Sequence, residues 1–155
     1  MTGPAPLRDD QLDRQVRLTA AFADAGIGSS AALYVLVATL YRSAPEWLSH
    51  ALRVGVVARR TGEELGLDER TLADIERAAL VGNLGRLVLC ELRGADGWDV
   101  ADLWSLGEQA RIAADIVSSA PFLRTTADIV RGSRECVDGS GFPQRLRGPA
   151  IPLGA

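Results

Sequence analysis

The sequence predicts an all-α fold, and three observations carry that prediction. Apolar residues recur at intervals of three and four along much of the chain, no stretch alternates convincingly between apolar and polar residues, and glycine, proline or serine falls between the periodic segments. A length of 155 residues suits one compact domain, large enough to bury a core without disulfide or metal staples.

Taken in order, Leu12, Val16, Ala20 and Ala23 form one apolar stripe, which predicts an amphipathic helix from Asp9 to about Asp24. Gly26, Gly28 and Ser29 end it, so residues 1–29 read as an N-terminal helix and loop, and residues 30–155 as the main helical domain. "SSAALYVLVATLY" begins on a serine N-cap and has almost no polar face, predicting a helix buried on most sides. Pro45 suits a first helical turn; Trp47, Ala51, Val54, Ala58, Thr61 and Leu65 predict the apolar stripe of a long helix that Gly66 terminates. Asp68 caps the next helix, with Leu72, Ile75, Ala79 and Leu80 facing inward until Gly82 interrupts. "RGADGWD" reads as a turn-rich linker. Leu106 to Val117 is a further predicted helix, and after Pro121 a last one carries Phe122, Ala127, Ile129 and Val130 toward Glu135. The remaining "RECVDGSGFPQRLRGPAIPLG" is too rich in glycine and proline for a regular helix.

Composition narrows the function. Hydrophobic residues at 47% and charged residues at 24% are globular values, and aromatics at 5% leave the core to Leu, Val, Ile and Ala. A net charge of -3 with pI near 5.2 opposes non-specific nucleic-acid binding, which needs clustered Lys and Arg. Cys90 and Cys136 form neither a disulfide framework nor a CxxC pair, so free thiols in a cytoplasmic protein are expected. No secretory leader is evident, and the longest apolar run, Ala31 to Leu40, is about half a membrane span.

His50 is the single histidine, which removes most hydrolase arrangements, because a nucleophile needs a base and a His-rich metal site needs several imidazoles. Glu46 lies four residues before it, so on a helix both side chains reach one patch, as two metal ligands would. The plainer alternative is that Glu46 offsets the helix dipole while His50 makes a local hydrogen bond. "GIGSS" at Gly26 precedes a helix N-terminus and lacks the Walker pattern.

Two stretches then take on meaning together. "LSHALRVGVVARRTGEELGLDERTLADIERAALVGNLGRLVL" and "AADIVSSAPFLRTTADIVRGSRECVDGSGFPQRLRGPAIPLGA" resemble the HD-GYP family of bacterial phosphodiesterases, which hydrolyse cyclic di-GMP on a helical bundle. The resemblance covers about Leu33 to Ala155 and is most specific in "DGSGFP" followed by "LRGPAIPLGA". It implies a bundle of the HD-domain type closed by a glycine- and proline-rich C-terminal loop. It also implies where a metal centre should lie. The histidine of the early helix is kept as His50, with Glu46 where some members add a carboxylate. The HD pair falls on Gly82 and Asn83, and the lysine of that motif on Arg86. The histidine of the next helix falls on or near Gln109, and an adjacent histidine pair falls on Ser133 and Arg134, before the retained Glu135. Phe142 replaces the loop tyrosine, and a further aspartate would lie beyond Ala155, so the chain reads as truncated at its C-terminus.

The chemistry of the replacements matters more than their number. A two-metal site clamps the attacking water and the leaving oxygen between cations. Glycine, a neutral amide at Asn83 and the cation of Arg134 cannot supply that clamp, and Arg134 would repel a metal ion. The resemblance therefore implies a pseudo-enzyme without cofactor, in which Glu46 and His50 are remnant ligands. Three readings follow: a signalling module that binds a partner protein through Asp138, Gly139, Ser140, Gly141, Phe142 and Pro143; a cyclic di-GMP sensor using Arg86, Arg131 and Arg134; and a residual metal-dependent phosphodiesterase. A homodimer is compatible with each. Phe142 is either turned inward over the old site or outward to a partner.

Overall fold

In the computed structural model, residues 31–43, 45–93 and 103–155 are described, and every regular element among them is helical. Helix α1 spans Ala31–Leu40 and runs into a 3-10 turn at Tyr41–Ser43. Helix α2 is Pro45–Glu64, α3 Glu69–Val81, α4 Leu84–Arg93, α5 Leu103–Ser118 and α6 Arg124–Gly132. The helix expected at Asp9–Asp24, the "GIGSS" turn and the serine cap of α1 lie outside the described residues. Two units are distinguished, the first ending at His50 and the second running from Ala51 to Ala155. Val37, Tyr41 and Leu48 are buried in the first.

The ends of α2 and α3 follow from local chemistry. Pro45 opens α2, with Glu46 in its first turn. At the other end the Leu67 amide donates to the Gly62 carbonyl at 3.0 Å and the Gly66 amide to Glu63 at 3.0 Å. Gly66 has φ +72, so these bonds form a Schellman cap that requires the left-handed conformation. Asp68 then starts α3: its carboxylate accepts from the Thr71 amide at 3.0 Å and from the Thr71 hydroxyl at 2.8 Å.

The stripe of α2 is rotated from the expected one. Leu48, Ala51, Leu52, Gly55 and Gly62 are the buried positions, whereas Val54, Thr61 and Leu65 are exposed and Trp47 and Ala58 half-buried. The reason lies in the glycines: Gly55 sits against Ala79 and Gly62 against Leu72 and Leu67, so α2 meets α3 at small residues that a hydrophobicity pattern passes over. Arg59, between them, bridges Glu63, Glu69 and Glu76. On α3, Leu72, Ile75 and Leu80 are buried as expected, but Ala78 replaces the half-buried Ala79 as the inward alanine.

Helix α3 packs on α6, α6 on α5 and α5 on α4. Among the described residues of the Ala51–Ala155 unit the buried apolar side chains are aliphatic, with Ala110, Ala113 and Ala114 of α5 and Ala127 of α6 permitting close approach. A polar tie crosses the core. Asp74 is 5% exposed, and its Oδ1 accepts from the Thr126 hydroxyl at 3.1 Å and from Arg77 at 3.0 Å. A buried carboxylate needs such partners, so this pair fixes α3 against α6.

Three further boundaries differ from expectation. Helix α4 was not anticipated, because Gly82 and Gly85 dilute its apolar run; α5 begins at Leu103 rather than Leu106. The last helix stops at Gly132, and Phe122, expected on its apolar stripe, sits in a 3-10 turn at 77% exposure. Pro121 sets that turn and aims the ring away from the core. Among the described residues, no helix is long and apolar enough to cross a membrane.

Candidate functional site

The segment after α6 is ordered by a small set of backbone bonds. Ser133 closes the helix, its amide donating to the Val130 carbonyl at 3.2 Å and its hydroxyl to the same oxygen at 2.8 Å. The Phe142 amide then donates to the Arg134 carbonyl at 3.1 Å, shutting a loop. Inside it the Gly139 amide reaches Cys136 at 2.8 Å, and Gly139 holds φ +81, which favours glycine. Asp138 makes an Asx turn, accepting from the Ser140 amide at 2.9 Å and the Ser140 hydroxyl at 2.6 Å. Those two donors hold its carboxyl below the usual range. Cys136 is a free, exposed thiol.

Glu135 is the anchor. One carboxylate oxygen accepts from the Gln144 amide at 2.6 Å and the other from the Leu146 amide at 2.9 Å. Between these amides Arg145 adopts φ 55, so the chain turns sharply around a single side chain. Gly141 is buried with its backbone directly against Glu135 and the Cys136 amide, leaving no room for a Cβ. Phe142 precedes a cis bond to Pro143, and its ring is turned inward: a methyl on Gly107 of α5 would come within 2.6 Å of it. Of the positions from Asp138 to Pro143, Asp138, Ser140 and Pro143 are exposed, next to exposed Cys136 and Val137. The chain then folds back, Pro152 against Gly132 of α6 and Gly154 against Ile75 of α3.

The positions of the motif that the resemblance places around a metal centre are distributed over five helices and their ends, α2 to α6. Glu46 and His50 are both exposed on α2. Gly82 caps α3 with φ -57, an ordinary right-handed value, so its dihedrals do not demand glycine, although a Cβ there would meet the Ala78 carbonyl at 3.1 Å. Asn83 begins the next turn, its carbonyl accepting from the Arg86 amide at 3.0 Å. Arg86 is half-buried on α4. Gln109 is buried on α5, 7% exposed, and its carbonyl lies so close to Gly85 that any side chain at 85 would strike it. Ser133 and Arg134 are exposed at the end of α6. Among the described residues no three His, Cys, Asp or Glu side chains are grouped so as to share a cation. The donor chemistry at these positions does not fit a two-metal centre: Gly82 offers no side chain, Asn83 and Gln109 only neutral amides, and Arg134 a cation.

Two contacts were missed in the sequence, Gly85 on Gln109 and Gly107 under Phe142. Their only signal was a glycine inside an otherwise helical stretch, which suggests close backbone approach without naming the neighbour. Arg131, a candidate phosphate contact, donates to Asp115 at 2.9 Å and lies 3.7 Å from Asp128.

Comparison with known proteins places this geometry. The chain is 31% identical over 107 residues to the cyclic di-GMP phosphodiesterase response regulator RpfG of Xanthomonas campestris pv. campestris (strain 8004), covering 66% of the chain. It spans only 28% of the length of that relative. No solved structure gives a significant match. A family model described as HD domain matches residues 35–155, from within α1 through the whole C-terminal loop. The helical order and the anchored loop thus have a family: the chain belongs to the HD domain family.

Proposed function

We propose that this chain is a non-hydrolysing HD-domain module of bacterial cyclic di-GMP signalling that acts by binding a partner protein. One observation carries the reading: the loop frame is intact while the positions for metal ligands hold the wrong chemistry. Glu135 and Gly141 keep the C-terminal loop in place. Gln109 meanwhile is a buried neutral amide where the resemblance calls for an imidazole, and Arg134 brings a positive charge to another ligand position. The relation to a response regulator named as a cyclic di-GMP phosphodiesterase supports the signalling context.

Because Phe142 is packed on Gly107, the contact face of the loop is formed by Asp138, Ser140 and Pro143 rather than by an aromatic handle. A sensor of cyclic di-GMP is the second reading, and Arg131 speaks against it, since its guanidinium is already engaged by Asp115.

Two measurements separate these readings. Calorimetric titration with cyclic di-GMP is expected to give no heat at high micromolar ligand; saturable binding would favour the sensor. A photo-crosslinking residue placed at Ser140 in the native host is expected to trap a discrete protein adduct. A control at exposed Ile116 should trap none, and no adduct at Ser140 would contradict contact through the loop.

A further inference from the structure

Helix α2 and the turn after it carry an exposed apolar stripe. Val54 is 42% exposed and Val57 64%, and Leu65, in the turn that closes the helix, is 67% exposed. Thr61 continues the stripe, because its hydroxyl donates to the Val57 carbonyl at 3.0 Å and is thereby satisfied by the helix itself. Residues 54, 57, 61 and 65 follow the three-and-four spacing of one helical face. That face adjoins the buried one formed by Ala51, Gly55 and Gly62.

The charges beside the stripe point to what covers it. On the far side of the helix Arg59 is engaged by Glu63 of α2 and by Glu69 and Glu76 of α3. Arg53 and Glu64, by contrast, flank the stripe, are exposed, and make no ion pair or side-chain hydrogen bond among the described residues. They sit toward opposite ends of the same flank. In an antiparallel pair of identical helices related by a two-fold axis, such a flank meets itself, so Arg53 of each copy faces Glu64 of the other. Val54 then faces Leu65, and Val57 faces Thr61, around a centre near residue 59. A parallel arrangement would instead set this flank against the opposite one, which carries Ala51, Ala58 and Gly62 and offers Arg53 and Glu64 no charged partner.

We propose that the exposed face of α2 is a self-association surface on which a second copy of this chain docks antiparallel, with Val54, Val57, Thr61 and Leu65 at its centre and reciprocal Arg53–Glu64 pairs at its edge. A stripe of four residues is smaller than a standard permanent interface, so the dimer is weak, with a dissociation constant on the order of 10 to 100 μM. This assignment is independent of whether the chain hydrolyses cyclic di-GMP.

Sedimentation velocity of the full chain from about 1 to 300 μM tests it. Wild type is expected to shift from monomer to dimer across that range, and Val57→Glu to remain monomeric with unchanged circular dichroism and melting. Arg53→Glu and Glu64→Arg should each weaken association about tenfold, since each removes two attractions and creates two repulsions. The double reversal Arg53→Glu/Glu64→Arg should restore association to within a few-fold of wild type. A wild-type monomer at 300 μM overturns the proposal, including the case where Val57→Glu lowers the melting temperature because the chain's own residues cover the face. A dimer that survives Val57→Glu places the contact elsewhere, and a double reversal that stays weak rules out the antiparallel pairing.

Discussion

Glu135 organises more of the C-terminal segment than any other single side chain, because its two oxygens take the amides of Gln144 and Leu146. Replacing it with Gln keeps the shape but turns one acceptor into a donor aimed at a backbone N–H. We expect Glu135→Gln to cost about 1 to 3 kcal/mol in denaturant unfolding, the range for a lost charge-assisted bond with an unpaired amide left behind. Unchanged stability would mean that the carboxylate does not hold the loop. Gly141 shows where residue-level reading stops. Glycines in this loop suggested positive φ, and Gly139, Gly148 and Gly154 have it at +81, +47 and +102. Gly141 is required for another reason, direct contact of its backbone with residues 135 and 136, which no local sequence pattern encodes. Phe142 is similar: its identity was plain, but its resting place on Gly107 depends on an element 35 positions earlier.

At the scale of elements, helix starts and stops were the most legible features. Pro45, Gly66 and Asp68 do what their chemistry dictates, since caps and left-handed turns are settled within a few residues. Faces were less legible. Hydrophobicity assigned the stripe at Val54, Thr61 and Leu65 to the core, while the buried side runs through Gly55 and Gly62, where close approach outweighs side-chain size. The Asp68 cap also carries a pH dependence. The Thr71 amide and hydroxyl hold its carboxyl below the usual range, so the ionised cap favours the folded state above about pH 4. That contribution fades as pH falls through the lowered value. Asn caps a helix about as well without titrating. Melting from pH 6 down to about 2.5 should therefore show a smaller loss for Asp68→Asn than for wild type; parallel curves would remove the cap from the acid response.

For the whole molecule, the helical class and the HD family were legible because the "DGSGFP" loop and its IPLGA continuation have a specific order, and the family model matches residues 35–155. The site was legible only as positions. Which residues stand at Gly82, Asn83, Gln109, Ser133 and Arg134 is a matter of sequence. What surrounds them is a matter of packing, as with the backbone contact between Gly85 and Gln109. In the non-hydrolysing module proposed above, these residues do not support metal-dependent hydrolysis. The most direct test of this reading is chromatographic: the purified full chain is incubated anaerobically with cyclic di-GMP and supplied Mn²⁺ or Fe²⁺, and products are separated over time. No linear dinucleotide or GMP is expected above a protein-free control. Metal-dependent product formation that disappears in His50→Ala would contradict the reading.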